Sequence, residues 1–103
     1  MSGYLIANYE ITNAGDYEGY ALAMASTLQA HGGETIVTDY QSEAIKGSPA
    51  KVTVVLRFSS KQAARTWYDS PEYQQIVHLR TDNCEGFVVI TDEFAFASGD
   101  LVS

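Results

Sequence analysis

A chain of 103 residues that is 46% hydrophobic and only 18% charged has the make-up of one folded domain around a single core, which excludes a disordered tail and a two-domain protein. Six Lys and Arg stand against thirteen Asp and Glu, a formal charge of −7. With no local basic cluster, that balance disfavours duplex DNA, RNA and anionic membrane as partners.

Residues 3–11, GYLIANYEI, alternate as a strand does, with Leu5, Ala7, Tyr9 and Ile11 on one face and Tyr4, Ile6, Asn8 and Glu10 on the other. Both faces carry apolar groups, so the sheet is expected to be covered on two sides. Asn13 with Asp16 three residues later reads as a capped helix start. Tyr17, Tyr20, Ala21, Met24 and Leu28 then recur at helical spacing, and Gly32-Gly33 end that helix.

The run ETIVTDY (34–40) predicts a strand, and SEAIKGSP (42–49) a short strand or bulged continuation stopped by Gly47 and Pro49. Residues 51–58, KVTVVLRF, alternate most clearly and predict a central strand. Ser59 or Ser60 caps the next helix, whose apolar side is Ala63, Ala64, Trp67 and Tyr68. The segment SPEYQ predicts a restart: Ser70 caps again, Pro71 takes the first helical position, where a missing N–H costs nothing, and Glu72 suits the positive end of the dipole. A second short helix follows through Tyr73, Ile76, Val77 and Arg80. TDNCEG reads as a polar loop and FVVITD (87–92) as the last strand.

The resulting order is β-α-β-β-α-β, an α+β, ferredoxin-like arrangement with an antiparallel sheet and helices on one face. Residues 1–92 form the domain. Residues 93–103 form a C-terminal extension in which Phe94 and Phe96 alternate like a further short strand or arm.

The lone cysteine, Cys84, has no partner for an intramolecular disulfide and no CxxC spacing. The longest apolar runs are far too short to span a bilayer, and MSGYLIANYE lacks the layout of a signal peptide, so a soluble cytoplasmic protein is expected. There is no GxGxxG, GxxxxGK[ST] or GxSxG, and His31 and His78 lack the carboxylate spacing of a zinc motif. No metal or nucleotide cofactor is expected.

The segments GYLIANYEITNAGDYEGYA, HGGETIV and SSKQAARTWYDSPEYQQIVHLR resemble the domain-of-unknown-function family numbered 1330. That family is a branch of the dimeric α/β-barrel superfamily, which also holds small cofactor-independent monooxygenases and stress-response barrel proteins. The resemblance spans about residues 3–92, and AARTWYDSPEYQ with the following LR is its most specific part. It implies a ferredoxin-like subunit whose open sheet face packs on a second copy, and no established activity. Two positions depart from the pattern: Asp39-Tyr40-Gln41 replaces a turn that is usually rich in glycine, and Arg57 stands where an acidic residue is expected.

An uncovered apolar sheet face carrying Ile6 and Val55 independently argues for a homodimer. A small ligand would sit between sheet and helices, lined by Asn8, Tyr20, His31, Arg57, Trp67, Tyr73 and Arg80. Arg80, seven residues after Tyr73, is placed to hold a carboxylate or a polarised oxygen, or else to cap its helix or pair with Asp82. His31 reads as a general base or as a helix C-terminal residue. Trp67, Tyr68 and Tyr73 form an aromatic wall or part of the core. Asn8 and Arg57 face either the cavity or the partner. The expected role is small-molecule binding or a structural one. The alternative is a cofactor-independent enzyme, monooxygenase- or isomerase-like, that acts on a small acidic or aromatic compound through His31 and Arg80.

Overall fold

The computed structural model describes residues 1–94. Its elements in chain order are β1 (Gly3–Ile11), α1 (Ala14–Tyr17), α2 (Tyr20–Ala30), β2 (Glu34–Asp39), β3 (Val52–Phe58), α3 (Lys61–Tyr68), α4 (Pro71–Gln74), α5 (His78–Thr81) and β4 (Cys84–Asp92). The four strands form one antiparallel sheet in the order β2-β3-β1-β4, the ferredoxin-like topology. No helix among the described residues is long and apolar enough to cross a membrane.

Alternation in β1 and β3 assigns one face to the core. Leu5, Ala7 and Tyr9 pair in register with Leu56, Val54 and Val52, and all six are buried. The helices lay Tyr17, Tyr20, Met24, Leu28, Ala64, Trp67 and Tyr73 onto that face. Trp67 and Ala64 are fully buried, and the Trp67 ring centroid lies 4.1 Å from that of Tyr73 and 5.5 Å from that of Phe58. The Trp67 indole N–H donates to Thr27 Oγ1 at 3.1 Å, and the Thr27 hydroxyl donates on to the Met24 carbonyl at 2.8 Å. The one polar atom of that large ring is thereby satisfied inside the core.

The helix starts follow their caps. Asn13 Oδ1 accepts from the Asp16 amide and Ser60 Oγ from the Ala63 amide. Ser70 Oγ accepts from the Tyr73 amide while its hydroxyl donates to the Trp67 carbonyl. One serine thus ends α3 and begins α4, with Pro71 at the first helical position. The WYDSPEYQ stretch is a helix junction that fixes Trp67 and Tyr73 against each other. Past α2, the Gly33 amide bonds the Leu28 carbonyl, and Gly32 takes a φ of 71°, the left-handed conformation that favours glycine.

The structure differs from the sequence expectations in four places. The helix expected from Asn13 to Gly32 is two helices, because Glu18 and Gly19 keep helical dihedrals but interrupt the hydrogen bonding where glycine has little helical preference. The helix expected through Arg80 is likewise split into α4 and α5. Residues 42–49 form no strand: the bonds at this loop's ends go from the Ser42 amide to the Lys51 carbonyl and from the Ala50 amide to Asn8 Oδ1, and Ile45 is fully exposed. Cys84, Glu85 and Gly86, expected in a loop, belong to β4 and pair with Ile11, Glu10 and Tyr9. Of the extension expected to carry Phe94 and Phe96, Phe96 lies outside the described residues.

The opposite face of the sheet carries an apolar row that runs across all four strands. Val37 pairs with Val55, Val55 with Ile6, and Ile6 with Val89. Val37, Val89 and the neighbouring Phe87 are exposed.

Candidate functional site

Between the inner sheet face and the helices lies a cavity of about 50 Å³, lined by aliphatic residues of β1 and β3 and by Tyr9, Tyr17, Tyr20, Tyr40, Trp67, Tyr68, Tyr73 and Arg80. Each polar group reaches it through a local device. Tyr20 opens α2, Tyr73 is held in α4 by the Ser70 cap, and Arg80 sits in α5.

The hydroxyls are paired. Those of Tyr20 and Tyr73 are 2.5 Å apart, and those of Tyr9 and Tyr17 are 2.6 Å apart. The Arg80 guanidinium donates to the Tyr68 hydroxyl at 3.0 Å and lies against Tyr73 and Tyr20 as well. Burial alone would lower the pKa of Arg80, but hydrogen bonding to Tyr73 and the surrounding phenols raise it, so the cation persists.

Burial pushes the Tyr9 phenol up to about 12, and Tyr17 and Tyr20 are raised by burial and by their hydroxyl partners. These phenols are neutral hydrogen-bond donors at physiological pH. No carboxylate or imidazole lines the cavity among the described residues. The arrangement can therefore hold an oxygen by donated hydrogen bonds and a fixed positive charge, but it has no proton acceptor poised near neutral pH.

A second space adjoins the cavity. An open groove of about 790 Å³ runs between α3 and the inner side of β4, over Leu5, Val88 and Ile90, with Lys61, Gln62, Arg65 and Tyr68 on its helical wall. Leu5, Tyr68 and Val88 line both spaces. Tyr68 therefore stands at the junction.

Of the residues singled out from the sequence, Tyr20, Trp67, Tyr73 and Arg80 come together at the cavity. His31, Asn8 and Arg57 do not line it. His31 ends α2, and its Nε2 lies 3.3 Å from Glu72 Oε2 on the surface. Asn8 projects to the other face, where its amide donates to the Ala50 and Val52 carbonyls and the Thr53 hydroxyl and its oxygen accepts from the Ala50 amide. Arg57 pairs with Glu34 across the outer face of β2 and β3. Tyr68, read from the sequence as part of an aromatic wall or of the core, lines the cavity as well, and Tyr9 and Tyr17 join it although sequence reasoning did not place them there. For Tyr9 the signal was available, since it shares the inner face of β1 with Leu5 and Ala7.

Comparison with known proteins follows the same outline. The family described as Domain of unknown function (DUF1330) matches residues 2–94. No curated protein matches by sequence. Among solved structures, a protein of unknown function from Rhodopseudomonas palustris superposes with a TM-score of 0.75 at 11% identity, covering 90% of this chain and 82% of that one. SnoaB, a cofactor-independent oxygenase from Streptomyces nogalater, superposes with a TM-score of 0.63 at 9% identity, covering 90% and 93%. A nipsnap family protein with unknown function from Agrobacterium tumefaciens gives 0.56 at 19% identity, covering 89% and 87%. At these identities the likeness shows the fold alone.

Proposed function

Because the chain belongs to the DUF1330 family, which assigns no activity, we propose from the geometry that it is a homodimeric small-molecule-binding protein. Its ligand enters between helices and sheet, and its dimer forms through the outer sheet face. The observation that carries the binding reading is the convergence of Arg80 with the hydroxyls of Tyr20, Tyr68 and Tyr73 on a cavity otherwise lined by apolar and aromatic side chains, with the Tyr9 and Tyr17 hydroxyls paired to each other. A few placed polar groups in an apolar recess are what a small-ligand site requires. A purely structural core would have little use for a guanidinium there.

The test compares wild type with Arg80→Met and His31→Ala across a panel of phenols and aromatic acids, read by thermal shift. Wild type and His31→Ala are expected to be stabilised by the same compounds. Arg80→Met is expected to fold and to lose the shift. If no compound stabilises wild type, or if Arg80→Met responds as wild type does, the reading fails.

A second reading, a cofactor-independent enzyme acting on an acidic or aromatic compound, is favoured by one feature. Neutral phenols and a cation around one point could stabilise an oxyanion as it forms. Oxygen uptake with an enolisable aromatic substrate, abolished in Arg80→Met, would support it. It would have to draw its base from the substrate or from solvent, since His31 does not line the cavity.

A further inference from the structure

The inner cavity, at about 50 Å³, is far below the ~300 Å³ at which small-ligand sites begin. Whatever reaches Arg80 must therefore leave most of its body outside. The groove beside it has about 790 Å³, an apolar floor and a charged wall. Lys61, Arg65 and Tyr68 follow one another at spacings of four and three along α3, so they form one stripe of the helix. That stripe faces Leu5, Val88 and Ile90 across the groove.

Charge distribution gives the groove a preference. Of the six Lys and Arg residues in this acidic chain, three, Lys61, Arg65 and Arg80, line the groove and cavity, and no Asp or Glu lines either among the described residues. Of the remaining three, Lys46 and Lys51 lie in the segment joining β2 to β3, and Arg57 pairs with Glu34. Arg65 bonds Asp69 through Nε at 2.8 Å, which leaves its terminal amino groups for another acceptor.

Resting on the binding reading above, we propose that the ligand is a flat organic carboxylate. Its anionic end is held by Lys61 and Arg65 at the groove rim, its apolar body lies on Leu5, Val88 and Ile90, and a hydroxyl or oxo group at its far end reaches past Tyr68 toward Arg80. The groove selects for charge and the cavity for a terminal oxygen.

The test is calorimetric titration of the intact protein with a naphthalene that carries a hydroxyl on one ring and a carboxylate on the other, and with naphthol, which lacks the carboxylate. The hydroxynaphthoate is expected to bind about two- to fivefold more tightly, as exposed ion pairs allow, and the advantage should shrink as salt is raised. The double substitution Lys61→Gln with Arg65→Gln, both at exposed positions on the groove wall, is expected to abolish that advantage while leaving naphthol affinity unchanged and the melting temperature nearly so, since the exposed Arg65–Asp69 pair contributes little to stability. If naphthol binds wild type as well as hydroxynaphthoate does, or if the double variant keeps the preference, the carboxylate assignment is overturned and the cleft reading stands. If neither compound binds, both are overturned.

Discussion

The hydroxyls of Tyr20 and Tyr73, 53 positions apart in sequence, lie 2.5 Å from one another in the core, and this pair ties the start of α2 to α4 beside Arg80. Replacing either residue with Phe removes that bond and leaves the other hydroxyl with Arg80 alone, which costs about 0.5–1.5 kcal/mol. Replacing both removes the need as well as the bond. Urea unfolding of Tyr20→Phe, Tyr73→Phe and the double variant is expected to show a double effect smaller than the sum of the singles. Strict additivity would show that the two hydroxyls are not coupled.

Alkaline pH should act on the same interior. An unfolded tyrosine titrates near about 10, whereas burial raises Tyr9 to about 12 and also raises Tyr17 and Tyr20. A folded-state pKa above the unfolded one means that the stabilising contribution is complete below the unfolded value and is lost as pH climbs through the folded one. Stability is therefore expected to fall steeply above about pH 10. Tyr9, Tyr17 and Tyr20 are expected to ionise only as circular dichroism is lost, so part of the tyrosinate absorbance should rise together with unfolding. If all seven tyrosines ionise together while the fold persists, the buried-phenol account fails.

The parts of this fold written in short-range chemistry were legible in the sequence: the alternation of β1 and β3, the Ser60 and Ser70 caps, and Pro71 at a helix start. Long-range causes were not. Cys84 to Gly86 look like a loop because nothing in their neighbourhood says that Tyr9 to Ile11 will offer them an edge. For Asn8 and Arg57 the sequence leaves the cavity and the partner-facing side equally open, because a polar residue on a strand does not disclose its partners, which here are the loop around Ala50 and the Glu34 carboxylate, both off the cavity. Tyr20, Trp67, Tyr73 and Arg80 could be gathered because core and cavity share one face. Lys61 and Arg65 could not, since their stripe has meaning only once β4 stands opposite.

Gly86 shows such a long-range constraint at a single atom. A Cβ there would lie 2.2 Å from the Asn8 carbonyl oxygen and 2.5 Å from the Tyr9 Cα, both backbone atoms that cannot rotate away. Gly86→Ala is expected to push β4 from β1 and to cost about 1–3 kcal/mol, as overpacking generally does. Faster amide exchange confined to the facing ends of those two strands would locate the damage. An alanine variant as stable as wild type would mean that the strands can separate there without penalty.

The outer sheet face makes the largest claim on a partner. Val37, Val55, Ile6 and Val89 form an unbroken apolar row over four strands, with exposed Phe87 beside it. A stable dimer needs about 800 Å² buried per partner, and a row that crosses the whole sheet gives such an interface its apolar centre. Val89→Asp would place a carboxylate in that centre without touching the core, since its neighbours on the inner side are Val88 and Ile90. Sedimentation at micromolar concentration is expected to show wild type as a dimer and Val89→Asp as a monomer of 11.3 kDa with its secondary structure intact. Leu22→Asp is the control, because Leu22 is 81% exposed on α2, away from the sheet, and it should leave the dimer whole. A wild-type monomer would mean that the row lies in water, and a dimer that survives Val89→Asp would mean that the two copies meet elsewhere.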